Sequence, residues 1–216
     1  VEAGGFVPAG VYDAEGATGD DFRTVGGDYY KPTDADYEAN CEEARALLAE
    51  AGYPDGEGFP VVEYLYNTSD AHKAVAEALQ YMWEEELGVK VTLNNQEWAA
   101  FLQTRKDGDY SIARNGWIAD YNDPISFLDM WMTGGGNNDA QYANEEYDSL
   151  IKQAKTTTDV KERMELLHKA EDMIIGEDNA LAPLYFYTQK YMLADGIEGL
   201  YYCPLGYFFF GYTHQA

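Results

Sequence analysis

The residues best suited to binding or catalysis lie in one short stretch, residues 110–124, which reads YSIARNGWIADYNDP. After a strand-like run it presents a cation, Arg114, an aromatic, Trp117, and a carboxylate, Asp120, within seven residues. An Arg and an Asp at this spacing can each face an opposite charge, which predicts a site for a zwitterionic or doubly polar ligand. The same residues are also compatible with an ion-paired core, because paired ions commonly serve structure.

Alternating strands and helices precede this stretch. The predicted elements are a helix over 34–51, a strand over 59–66, a helix over 70–87, a strand over 89–93, a helix over 97–106 and a strand ending at Arg114. Asp34 or Asp36 is the expected N-cap of the first helix. The short connections predict parallel βαβ units, and ligand sites of open α/β sheets form at the carboxyl ends of such strands.

The fold class predicted from this order is α/β, with a mixed, mostly parallel sheet flanked by helices. Residues 1–33 are Gly-rich and predict an extended arm lying on a surface, or a piece of a larger unit. Residues 34–199 contain the predicted helices and strands, and residues 200–216 form a separate aromatic segment. Further helices are expected over 125–132, 144–155 and 159–175, and strands over 180–187 and 190–193. The aromatic segment needs a partner to cover it, and that partner can lie outside this chain.

Three further residues, together with Trp117, are candidates for the same sheet edge. Arg105 and His72 are potential cations near the ends of predicted elements, and Trp98 and Trp117 could supply flat apolar walls beside them. Each has a structural explanation by itself: a solvated Arg, an exposed His in a first helical turn, or a core Trp. Their predicted gathering at one edge favours a binding site.

Composition excludes several partners. Thirty-nine acids against 14 bases give a net charge of −25, so nucleic acid and anionic membrane surfaces are not expected partners. No apolar run is long enough to span a bilayer. Cys41 is expected to be a buried thiol, and no disulfide with Cys203 is predicted.

Catalysis has weaker support. Asp120 and Asp123 could form the carboxylate pair of a hydrolase, but Asp123 precedes Pro124 in a turn composition that favours local hydrogen bonding. No nucleophile motif accompanies the three histidines. The oxygen-bearing loop at residues 137–139 lacks the acidic spacing of a calcium site, and phosphate-loop signatures are absent. We therefore expect no metal, no cofactor and no enzymatic activity.

Five ordered motifs resemble the family 5 extracellular solute-binding proteins, and among them most closely the oligopeptide-binding receptors of ABC importers. They are NTSDAHK at 67–73, NQEW at 95–98, FLQTR at 101–105, ARNGWIADYNDPISFLDMW at 113–131 and GGGNNDAQYANEEYDSLI at 134–151. The resemblance implies a periplasmic-binding-protein-like, ligand-binding lobe of type II over residues 34–199. It also implies that the chain is the C-terminal lobe of a longer receptor, in which segment 200–216 returns to the N-terminal lobe.

The resemblance further implies an extended peptide held between two lobes, with main-chain pairing as in strand addition. Asp120 matches the residue that pairs with the peptide's α-ammonium. Arg114, Arg105 and His72 match positions that meet the peptide's carboxylate at different peptide lengths, and Trp98 and Trp117 match pocket walls. The implied location is extracytoplasmic, as a lipoprotein, with permease subunits as partners.

Other functions stay open on the sequence. The same fold could bind a sugar or a metal chelate. A secreted carboxylate-dependent hydrolase and a lobe reused for protein–protein interaction are the alternatives from other classes.

Overall fold

The computed structural model describes residues 1–30, 33, 35–203 and 206–216. The predicted cap Asp34 lies outside the described residues. The chain divides into two compact units. The first unit comprises Val1–Tyr30, Trp117–Met132 and Asn144–Ala216, and the second comprises Lys31–Gly116 and Thr133–Ala143.

The helices are α1 Phe22–Gly26, α2 Tyr37–Glu50, α3 Asp70–Leu87, α4 Trp98–Asp107, α5 Ile125–Leu128, α6 Glu145–Thr156 and α7 Val160–Glu171. Short 3-10 turns occur at Gly16–Thr18, Pro54–Gly56 and Asp129–Trp131, and a π-helix, Asp172–Glu177, continues α7. The strands are β1 Val62–Asn67, β2 Val91–Gln96, β3 Ile112–Ala113, β4 Ile197–Glu198, β5 Tyr201–Cys203, β6 Tyr207–Phe209 and β7 His214–Gln215.

The second unit contains the predicted βαβ arrangement. β1 lies between β2 and β3 and is parallel to both, with Val62 opposite Val91 and Tyr64 opposite Ile112. The caps of α3 explain why the chain turns where it does, because Ser69 accepts the amide of His72 and Gly88 ends the helix in the left-handed conformation. A side chain at Gly88 would place its Cβ 2.2 Å from the carbonyl oxygen of Asp55. The fold class predicted from the sequence is confirmed.

The core of this unit lies where α3 covers the sheet. Tyr64 and Tyr66 of β1 and Val91 of β2 are buried against Ala76 of α3. Further apolar side chains of α3 complete the layer, namely Leu79, Trp83 and Leu87. Cys41 on α2 is buried, as expected, and its sulfur is not part of a disulfide.

The first unit is built on α6 and α7. Asn144 and Asp159 cap these two helices through side-chain oxygens that accept backbone amides. The large buried side chains are Phe22, Trp131, Tyr147, Ile151, Leu167 and Ile174. Residues 1–30 supply the fully buried Phe22 and Val7 to this core, which an extended arm lying on a surface would not do.

A buried ion pair fixes the first 30 residues in this unit. Arg23 donates to both carboxylate oxygens of Glu171, at 3.2 and 2.5 Å, and Glu171 also accepts the amides of Phe6 and Val7. Glu171 is fully buried. Every acceptor oxygen of this carboxylate is therefore used for structure.

Two predicted strands are wrong. Residues 180–187 and 190–193 form no ladder; one isolated bridge joins Glu2 to Tyr185. Backbone hydrogen bonds join residues 1–3 to residues 184–186 around this one bridge and extend no further, and Pro183 has no amide hydrogen to donate. Short antiparallel pairs occur later instead, between β4 and β7 and between β5 and β6. The helix predicted over 159–175 is α7 with its π-helical extension.

Throughout the described ranges, each helix is too short or too polar to cross a bilayer.

Candidate functional site

The predicted site residues fall in both units. Trp117 and Asp120 belong to the first unit, whereas Arg114, Arg105, His72 and Trp98 belong to the second.

Ser126 positions the two predicted residues of the first unit. Its carbonyl oxygen accepts the indole Nε1–H of Trp117 at 2.6 Å, and its Oγ accepts the amide of Asp120 at 3.1 Å. Ser126 is buried in α5, so both bonds are anchored in a packed helix. Within the described residues, the carboxylate of exposed Asp120 has no hydrogen-bond or ion-pair partner. Asp120 therefore presents an unneutralised negative charge on a fixed backbone.

Asp123, the second carboxylate of the proposed hydrolytic pair, is engaged in structure. Its Oδ1 accepts the amide of Ile125 at 2.9 Å at the start of α5. Both of its oxygens also accept from the Arg163 guanidinium, each at 2.9 Å. A hydrolase would need two carboxylates facing one bond, and Asp123 faces Arg163 instead. This geometry argues against the hydrolytic alternative.

His72 and Arg114 interact electrostatically at the carboxyl end of the parallel sheet. The amide of Arg114 donates to Leu65 of β1 at 2.8 Å, and His72 lies in the first turn of α3, the helix that follows β1. Burial lowers the pKa of His72, and the nearby Arg114 guanidinium lowers it further, while a hydrogen bond to the Asn67 backbone opposes both. Two residues that can bind an anion thus share this edge.

Arg105 is held in an ion pair with Asp139. Its Nε and Nη2 donate to Asp139 Oδ2 at 2.8 and 2.6 Å, and its Nη1 donates to Asn115 Oδ1 at 2.9 Å. The guanidinium also lies over the ring of Phe101, 5.2 Å from its centroid. The buried Arg–Asp pair that the sequence suggested for Arg114 and Asp120 is therefore present in this unit, between residues that the sequence did not link.

Trp98 is 53% exposed at the start of α4 and stacks on Phe101, with ring centroids 5.7 Å apart. Phe101, which is fully buried, anchors the helix to the sheet. Trp98 is therefore available as a surface aromatic rather than being the core residue of α4.

The described residues contain no group of three or more His, Cys, Asp or Glu side chains arranged to hold a metal ion. In the loop considered for calcium, Asn138 binds both backbone groups of Tyr142, and Asp139 is paired with Arg105. These oxygen atoms already have protein partners.

Comparisons with known proteins agree with the motifs. The model of the bacterial extracellular solute-binding proteins, family 5 middle region, matches residues 9–139. The dipeptide-binding protein DppE of Bacillus subtilis is 37% identical over 203 residues, which are 93% of this chain and 36% of DppE. The periplasmic oligopeptide-binding protein OppA of Salmonella typhimurium is 42% identical over 158 residues, which are 73% of this chain and 29% of OppA.

A solved structure extends the similarity to the whole chain. The substrate-binding domain of an oligopeptide ABC transporter from Bacillus anthracis superposes with a TM-score of 0.76 at 30% identity. It covers 100% of this chain, which corresponds to 40% of that structure. The chain spans about a third of the length of the two curated relatives, 36% and 29%.

Proposed function

Because the chain belongs to the bacterial extracellular solute-binding proteins of family 5, we propose that it is part of a receptor that captures peptides for an ABC importer. The names of DppE and OppA, which bind dipeptides and oligopeptides, support this ligand class. The chain spans about a third of these relatives, and the resemblance of its motifs supports assigning it to the C-terminal lobe of a two-lobe receptor. The receptor acts outside the cytoplasmic membrane as a lipoprotein and delivers its ligand to permease subunits.

The observation that carries the proposal is the exposed carboxylate of Asp120, which has no partner in the described part of the chain. A peptide's α-ammonium supplies the missing positive charge and up to three N–H donors. Charge-assisted hydrogen bonds of this kind are short and strong. Because they read the peptide's end and not its side chains, they suit a receptor for peptides of varied sequence.

The second unit contains residues that can bind a carboxylate. Arg114 and His72 lie where the parallel strands end and α3 begins, and they are the residues that we assign to the peptide's carboxylate. In the described sheet β3 is an edge strand, paired on one side with β1. An edge strand leaves main-chain groups available for an extended peptide.

Aromatic surfaces provide the walls of the side-chain pockets. Trp98 is exposed and Trp117 is half-buried with its indole N–H satisfied by Ser126. Flat rings fixed in this way contact side chains of many shapes without demanding a particular hydrogen bond. This role fits a receptor with low side-chain selectivity.

The proposed receptor performs no catalysis and needs no cofactor, because capture and release are its whole function. Segment 200–216 carries exposed aromatic residues, including Tyr201 and Phe209. We assign this surface to contact with the N-terminal lobe.

Mass spectrometry of ligands that co-purify with the full-length receptor tests the proposal. We expect a mixture of short peptides with varied sequences, released by mild denaturation. Recovery of a sugar or a metal chelate as the main ligand would instead support one of the other solute classes. As a control, Asp120→Ala should lower the recovered peptide yield, whereas Asp70→Ala, which changes an acid in the first turn of α3, should not.

A further inference from the structure

The three nitrogen atoms of the Arg105 guanidinium all have acceptors within the second unit. Nε and Nη2 bind Asp139 Oδ2, and Nη1 binds Asn115 Oδ1 at 2.9 Å and the carbonyl of Arg114 at 3.4 Å. The side chains of Arg105 and Asp139 are only 13% and 9% exposed. The positive charge of Arg105 is therefore neutralised by an acid that is itself shielded from water.

The loop that carries Asp139 is fastened in place. The hydroxyl of Tyr110 donates to the carbonyl of Asp139 at 2.9 Å. Asn138 and Tyr142 form a closed pair of hydrogen bonds: Asn138 Oδ1 accepts the amide of Tyr142, and Asn138 Nδ2 donates to its carbonyl. Gln141 lies against Gly108, where a Cβ would sit 2.4 Å from Gln141 Nε2. These contacts hold the backbone around Asp139, so the loop cannot move away from Arg105 without breaking them.

We propose that Asp139 is a specificity-determining residue: by pairing with Arg105, it keeps this cation from binding a ligand's carboxylate. This inference rests on the proposed function. A carboxylate brought to Arg105 would have to share the guanidinium with Asp139 and would meet its negative charge at close range. Specificity can arise from such a repulsive element as much as from an attractive one. Arg114 and His72 then serve the ligand carboxylate, and peptides that would place it at Arg105 are discriminated against.

The central experiment compares Asp139→Asn with the wild type in the full-length receptor. The substitution keeps the size and one acceptor oxygen of the side chain but removes its charge. Calorimetry with di-, tri-, tetra- and pentapeptides of the same residue type gives affinity as a function of length. We expect one length class to bind about tenfold tighter in the variant, with the lengths preferred by the wild type changed little.

Two further variants separate specificity from folding. Asp123→Asn removes the charge from another largely buried Asp–Arg pair, the one with Arg163, and should leave the length profile unchanged. Combining Asp139→Asn with Arg105→Gln should abolish the gain, because the released cation is then absent. A uniform loss of affinity at all lengths in Asp139→Asn, matched by Asp123→Asn, would overturn the proposal.

A ligand-free measurement keeps this inference distinct from the proposed function. An arginine-specific dicarbonyl reagent, followed by peptide mapping, should modify Arg105 slowly in the wild type and at least about fivefold faster in Asp139→Asn. Equal rates would show that Asp139 does not occupy Arg105 and would overturn the inference. If the wild-type receptor binds no peptide of any length, the proposed function fails and the specificity role fails with it, whatever the modification rates are.

Discussion

Asp123 and Arg163 form a two-pronged ion pair in which each carboxylate oxygen accepts from a different guanidinium nitrogen at 2.9 Å. Three residues earlier, Asp120 has no such partner among the described residues, although both aspartates belong to one motif. Asp123 is therefore a structural carboxylate, whereas Asp120 is left exposed. This difference is also the feature that most clearly distinguishes a peptide receptor from a two-carboxylate hydrolase.

Replacing Asp123 should therefore cost stability, and replacing Asp120 should not. Asp123→Ala leaves Arg163 largely buried without its counter-charge and leaves the amide of Ile125 without its acceptor, so we expect a loss of about 2–3 kcal/mol. Asp120→Ala should change the free energy of unfolding by less than about 0.5 kcal/mol, as exposed sites usually do. Urea denaturation of both variants measures the contrast. Equal destabilisation would mean that Asp120 also has a structural partner.

Asp120→Ala should weaken binding of peptides with a free amino terminus far more than binding of N-acetylated peptides. A hydrogen bond to a charged group contributes about 1.5–3 kcal/mol, which corresponds to a loss of roughly 10–150-fold. The acetylated peptide has no ammonium for Asp120 to bind, so its affinity in the full-length receptor should change by less than about threefold. Calorimetry on matched peptide pairs gives the comparison. Equal losses for both peptides would remove Asp120 from its assigned role.

Local signals explain how much of the fold could be predicted. The boundaries of α3 follow from Ser69 at its start and Gly88 at its end, which are caps that a single sequence displays. The parallel pairing of β1 with β2 follows from the short connections through α3. The strand prediction for residues 180–187 is wrong, although their apolar and aromatic composition is typical of a strand. A strand also depends on a neighbouring segment that pairs with it along its length, which composition does not reveal.

Long-range ion pairs explain why the candidate site was only partly predicted. Arg105 and Asp139 lie 34 positions apart, and Arg23 and Glu171 lie 148 apart. A single sequence, read by itself, shows no signal that links such pairs. The sequence suggests Asp139 only as a metal ligand, and Arg105 only as a solvated or ligand-binding cation. Their partnership depends on how the loop at residues 133–143 packs, which is a property of the folded unit.

His72 should titrate at a pH below its ordinary value of about 6.5. Burial lowers its pKa and Arg114 lowers it further, so Arg114→Gln should raise the midpoint toward that value. In the pH range between the two pKa values, the unfolded chain binds more protons at this site than the folded chain. The contribution of His72 to the free energy of unfolding therefore falls as the pH drops below about 6.5, and it levels off below the folded-state pKa.

Proton NMR of the imidazole C–H resonances, assigned with His72→Gln, measures the midpoint directly. The resonances of His168 and His214 provide internal references in the same spectra. A midpoint that does not move in Arg114→Gln would show that Arg114 does not act on His72.

The chain should self-associate through its C-terminal aromatic segment. Tyr201 and Phe209 face each other across β5 and β6 and are 60% and 54% exposed, and Phe210 and Tyr212 are 67% and 87% exposed. An apolar patch of this kind on a soluble protein marks a surface that another protein or domain normally covers. In the isolated chain, the surface most readily available to cover it is the same segment of a second copy.

Sedimentation velocity across about 1–100 µM, a range in which exposed apolar surface drives association, measures the effect. We expect a concentration-dependent increase in mass that Phe209→Ser combined with Phe210→Ser largely removes. Tyr81→Ser is the matched control, because Tyr81 is an equally exposed aromatic residue, 66% accessible, on α3 of the second unit. A chain that stays monomeric over the whole range would contradict the prediction, and so would association that depends on Tyr81 as strongly as on Phe209 and Phe210.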